Sequence, residues 1–113
     1  MTMMIYKLLL TSEWADLQAQ GQTAGAPIDL ADGYVHLSTA DQVAETAAKY
    51  FADIEGLVLL AVDDGPLGAD LKWEPSRGGA LFPHLYRDLR LTDVAWDHVL
   101  VLQDGAHLFP PLA

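Results

Sequence analysis

The chain has 113 residues, six Lys+Arg against sixteen Asp+Glu for a formal charge of −10, 51% apolar residues and no cysteine. That length and apolar share fit one packed domain over residues 1–113 and exclude wholesale disorder or low-complexity structure. The charge argues against extended nucleic-acid binding and against anionic membrane surfaces, both of which need clustered Lys and Arg, and the lack of cysteine removes disulfides, thiolate nucleophiles and zinc–thiolate sites.

No apolar run approaches the ~20 residues of a bilayer-spanning helix, and the first seven residues lack an export-signal pattern, so a cytoplasmic location is expected. Ile5 to Leu10 is a short apolar stretch carrying one charge, Lys7, and reads as a strand. A helix follows from Ser12, with Glu13 and Asp16 in its first turns, Trp14 and Leu17 on one face, and Gly21 as its end. Residues 22–32 contain Gly25, Pro27 and Asp29 without periodicity and read as a surface loop.

After the turn Asp32-Gly33, the segment Tyr34 to Ser38 reads as a strand with Val35 and Leu37 on one face and Tyr34, His36 and Ser38 on the other. Thr39 with Gln42 three residues on gives a capping-box spacing, and Val43, Ala47, Tyr50, Phe51 and Ile54 continue at helical intervals. Leu57 to Val62 is an unbroken apolar run of strand length, expected to be a central strand covered on both faces. From Asp64 to Leu91, Gly and Pro break the pattern into loops and short strands. Strands are expected around Leu91 to Trp96 and Val99 to Leu102, and the turn signal Asp104-Gly105 returns the chain through His107 to Phe109. Two main helices with about six short strands make an α+β fold.

The chemistry-bearing residues fall in three places. His36 and Ser38 share a strand face about 7 Å apart along the backbone, so they could grip one ligand; the plain alternative is a half-buried histidine bonded to backbone beside a serine that opens the next helix. Glu74 lies between Trp73 and Pro75 with Arg77 three residues on, which suits either a surface ion pair or a carboxylate positioned by an indole in a cleft. His84 and Tyr86 follow Pro83 on what reads as a loop, either as binding groups at the rim or as a structural turn. His98 and His107 read as surface histidines. The spacing offers no metal motif, no phosphate loop, no dinucleotide fingerprint and no nucleophile elbow, and the oligomeric state stays open.

Taken together, Ile5-Tyr6-Lys7 leading to Thr11 and Trp14, Asp32-Gly33-Tyr34-Val35-His36-Leu37-Ser38-Thr39, Lys72-Trp73-Glu74 and Phe82-Pro83-His84-Leu85-Tyr86 resemble the uncharacterised bacterial family called domain of unknown function 952, from Ile5 to about Phe109. More remotely, the order of these elements resembles RNA 2′-phosphotransferases and other ADP-ribosyltransferase-like proteins. That resemblance implies a split antiparallel sheet and a cleft for NAD or a related nucleotide, with ADP-ribosyl transfer or NAD cleavage as the reaction. It implies His36 and Glu74 as catalytic residues, the carboxylate stabilising positive charge that develops at the ribose. Ser38, Thr39, Trp73, Arg77, His84 and Tyr86 would then be ligand-binding. The sequence departs from the RNA-directed enzymes in having only Arg77, Arg87 and Arg90, which sets phosphorylated RNA aside as a substrate. The other class of function is a non-catalytic module for a small molecule or protein that keeps the fold alone.

Overall fold

The computed structural model describes residues 3–112, with the side chain of Arg77 outside that description. In chain order the elements are β1 (Met4–Leu9), α1 (Thr11–Gln20), β2 (Gln22–Thr23), α2 (Pro27–Asp32), β3 (Val35–His36), α3 (Ala40–Tyr50), β4 (Val58–Asp63), β5 (Leu71–Pro75), β6 (Leu81–Leu85), β7 (Leu89–Arg90), β8 (Val94–Val99), β9 (Val101–Gln103) and β10 (Ala106–Leu108), with 3-10 turns at Gly65–Asp70, Arg77–Gly79 and Leu91–Asp93.

The long apolar run forms β4, which lies between β1 and β8 in an antiparallel sheet. The pleat sends alternate side chains to opposite faces, and both faces are covered, so nearly every position of β1 and β4 is buried. On one face Tyr6, Leu8, Leu59 and Ala61 pack with Val43 and Ala47 of α3. On the other, Ile5, Leu9, Leu60 and Val62 meet Leu17 of α1 together with Val35, Leu37 and Leu85 of a second antiparallel sheet, whose order is β3-β6-β5. Lys7 belongs to this second face by alternation and is buried there.

The two sheets are joined where the chain leaves β3. Leu37 N donates to the Pro83 carbonyl of β6, whereas Ser38 exchanges both backbone hydrogen bonds with Tyr6 of β1, at 2.9 and 2.7 Å. The segment from His36 to Ser38 therefore crosses from one sheet edge to the other. Beyond it, Gln42 Oε1 accepts from Thr39 N and starts α3, while its Nε2 donates to the Leu81 carbonyl and ties that helix to β6.

The mixed α+β character with antiparallel sheets agrees with the sequence reading, and three expectations need correction. Residues 22–32 are not one loop: β2 pairs with β7, and α2 is a third α-helix among the described residues, opened by Pro27 and closed by Gly33 at φ 84°. A strand does not begin at Leu91, because Asp93 accepts from Arg90 N and from the Arg87 guanidinium and so tightens residues 91–93 into a 3-10 turn. His84 does not sit on a loop but within β6. The hairpin at Asp104-Gly105 forms with both residues at positive φ, as the twist of a two-residue turn requires.

Candidate functional site

The crossing of His36 to Ser38 between sheets leaves an open wedge beside it, bounded by β1, α2, α3 and β6. It is a cavity of about 480 Å³ whose exposed walls are mostly apolar, with His36, Ser38, His84, Tyr34 and Asp32 among its polar or aromatic borders.

Its floor is organised by Asp29, on α2. The side chain is fully buried and accepts from Lys7 Nζ at 2.7 Å, Ala26 N at 2.7 Å, His36 N at 2.9 Å and His36 Nδ1 at 2.5 Å. Burial alone would raise its pKa; the His36 hydrogen bond, the charge and hydrogen bond of Lys7, and the His36 amide outweigh it and hold the carboxyl at about 2, below its ordinary 3.8. Lys7 also donates to the His36 carbonyl at 3.0 Å. His36 is thus gripped at its amide, its carbonyl and its ring. Its other ring nitrogen, Nε2, lies 3.0 Å from Asp32 Oδ2, one helical turn earlier in sequence.

His84 is His36's cross-strand neighbour, with ring centroids 5.3 Å apart, and Tyr34 lies against both rings at 4.6 and 4.2 Å. Behind His84, Glu74 Oε1 is 2.8 Å from Nδ1 and accepts from the Tyr86 hydroxyl at 2.6 Å. The Tyr86 bond, then the His84 bond, lower the pKa of Glu74; the same carboxylate pushes Tyr86 up to about 12. Desolvation first, then the charges of Asp32, Glu74 and Asp29, raise Tyr34 above its ordinary value. Ser38 Oγ is 3.3 Å from Thr46 Oγ1, and Thr46 donates to the Gln42 carbonyl, which leaves Ser38 as the donor between the two hydroxyls.

The structure therefore brings His36, Ser38 and His84 to one cavity and puts Glu74 and Tyr86 in the layer behind His84. Thr39 caps α3 and does not border the cavity. Trp73 lies one residue from Glu74 on a pleated strand, so it points to the opposite sheet face and is exposed rather than cleft-lining. The Arg77 side chain lies outside the described residues. Lys7, Asp29 and Asp32 escaped the sequence reading. The available signal was Lys7 itself, a charge within an apolar strand that cannot be buried without a partner. Among the described residues, no group of three or more His, Asp or Glu is arranged to hold a metal ion, and no helix is long and apolar enough to cross a membrane.

The family model described as Protein of unknown function (DUF952) matches residues 8–97. The crystal structure of protein CC0527 from Caulobacter crescentus is similar over 93% of both chains, at 53% identity and a TM-score of 0.89. The solution structure of that protein matches over 92% of this chain and 90% of the other, at 52% identity and a TM-score of 0.82. Among curated proteins there is no significant match.

Proposed function

The chain belongs to the family described as Protein of unknown function (DUF952), and from that premise we propose that its cavity binds the nicotinamide–ribose end of NAD or of a related nucleotide. The observation that carries this reading is the convergence of His36, Ser38 and His84 on one cavity, with the Tyr34 ring against both imidazoles. A volume of about 480 Å³ and mainly apolar walls with a few polar groups suit a flat heterocycle joined to a hydroxylated sugar. Tyr34 offers a ring face and Ser38 and His84 offer hydrogen bonds, while His36, whose two ring nitrogens are held by Asp29 and Asp32, contributes its ring to the wall.

The diphosphate of such a nucleotide suits the cavity less well. Lys7 is the only lysine or arginine bordering it among the described residues, and that ammonium is already paired with Asp29. The ring and ribose are thus the part these residues recognise. Bound NAD would supply an electrophilic ribose carbon for ADP-ribosyl transfer or hydrolysis. For this the chain contributes His36, fixed by Asp29, and the Asp32 carboxylate at the cavity border, while Glu74 acts through His84.

A second reading, binding without turnover, is favoured by the place of Glu74: that carboxylate does not border the cavity and is engaged by His84 and Tyr86. Calorimetric titration of NAD, followed by an assay for released nicotinamide, separates the readings. Binding is expected, weakened about tenfold by Ser38→Ala, the effect of one hydrogen bond of roughly 1.4 kcal/mol, and weakened also by His36→Ala, which removes the ring that Asp29 and Asp32 hold at the cavity wall. No heat with NAD, or affinity untouched by both substitutions, overturns the cavity assignment; binding with no nicotinamide release selects the second reading.

A further inference from the structure

We propose that Glu74 holds His84 in the tautomer that carries its hydrogen on Nδ1, so that a bare Nε2 faces the cavity as a fixed hydrogen-bond acceptor and selects a ligand with an O–H or N–H donor there. The inference deepens the nucleotide reading and rests on it for the ligand alone.

The sheet register builds the arrangement. His84 pairs with Lys72 of β5, and Glu74 lies two residues along on the same face, which brings its carboxylate to the near side of the ring. Oε1 accepts from the Tyr86 hydroxyl, and an ionised carboxylate has no hydrogen to give, so at the 2.8 Å contact the donor is His84 Nδ1. A neutral imidazole has one ring hydrogen, and the bond made by one nitrogen decides the state of the other. Tyr34, stacked at 4.2 Å, restrains the ring against turning.

Nε2 is the atom left over. His84 is 2% exposed and borders the cavity, and Nε2 has no hydrogen-bond partner among the described residues. No sealed side-chain nitrogen or oxygen is unpaired in the described structure, so Nε2 keeps some exposure, and the cavity is the space that His84 borders. A lone pair there welcomes a ribose hydroxyl or a carboxamide N–H. It repels a carbonyl or carboxylate oxygen at the same point, because two acceptors would face each other without a hydrogen between them. Glu74 is in this sense a positioning residue.

Ring ¹⁵N–¹H correlation spectra of the whole, ligand-free protein at about pH 8.5, two units above the ordinary histidine value, read the tautomer directly. We expect a hydrogen on Nδ1 and a bare Nε2 at His84 in the unsubstituted protein, and a shift toward the Nε2–H form in Glu74→Ala. Tyr86→Phe keeps the Glu74 contact and is expected to retain the wild-type tautomer. An Nε2–H form in the unsubstituted protein, or a tautomer indifferent to Glu74→Ala in a variant with native amide dispersion, overturns the proposal. Saturation with NAD is expected to move the Nε2 resonance. If the tautomer is as proposed and NAD moves nothing, the nucleotide reading fails while the acceptor stands.

Discussion

Asp29 concentrates more hydrogen bonds than any group the sequence reading singled out: the Lys7 ammonium, two backbone amides and the His36 ring all point at one fully buried carboxylate. The two members of its ion pair with Lys7 are not equivalent. Asp29→Asn would leave an ammonium, itself 7% exposed, without a counter-charge, and breaking a buried pair in this way costs about 3–5 kcal/mol. Lys7→Met also strands a buried charge, but the carboxylate keeps its Ala26 and His36 donors, so the loss should be smaller than that of Asp29→Asn. Urea unfolding at neutral pH checks the order, and equal losses would contradict the asymmetry. Residue types and strand alternation were enough to place His36 and Ser38 on one face and to mark His84. They could not reveal Asp29 as their anchor, because an aspartate in a Gly- and Pro-containing stretch looks like turn chemistry until Lys7 is known to lie opposite it.

Pro27 and Gly33 bracket α2 with the asymmetry of helix ends, proline first and glycine just past the last residue. That signature is present in the sequence, but six residues are too few to show a helical period, so the segment looks like the loop that its Gly and Pro residues suggest. By contrast β4, α3 and the final hairpin were legible from an unbroken apolar run, a sustained 3.6-residue pattern and an Asp-Gly turn. How closely α2 is fitted to its carboxylate shows at Gly25. This residue has φ +105°, and a Cβ there would run into the Asp29 side chain, whereas a Cβ on Gly21, at φ +80°, meets nothing within 4 Å. Both substitutions to alanine carry the strain of left-handed backbone, of order 1 kcal/mol. Gly25→Ala must also displace a hydrogen-bonded carboxylate. It is therefore expected to cost about 2–3 kcal/mol against about 1 for Gly21→Ala, and to speed amide exchange across α2 while leaving β4 protected. Matching unfolding midpoints for the two variants would show that Asp29 can move freely.

At the scale of the whole molecule, acid acts on two opposed terms. Protonating carboxylates relieves the repulsion of a chain with net charge −10, which favours the compact state as pH falls. Against this, Asp29, Glu74 and Asp93 all have folded pKa values below their ordinary ones. A carboxyl depressed on folding contributes stability that is present above its unfolded pKa and is lost as pH falls toward its folded one. For Asp29 that window runs from 3.8 down to about 2, a linkage contribution on the order of 2 kcal/mol. Tyr86 works at the other end. Its pKa is raised to about 12 by the Glu74 bond, so its contribution holds below the ordinary value of 10 and fades between the two. The charge relief is common to the wild-type protein and to Asp29→Asn, so their difference isolates the buried carboxylate. Urea midpoints measured from pH 6 to about 2.5 should fall more steeply for the wild type, the gap between the curves narrowing by most of that 2 kcal/mol below pH 4. Parallel curves would mean that Asp29 titrates as an ordinary surface acid, and the anchor that aims His36 into the cavity would then be absent in solution.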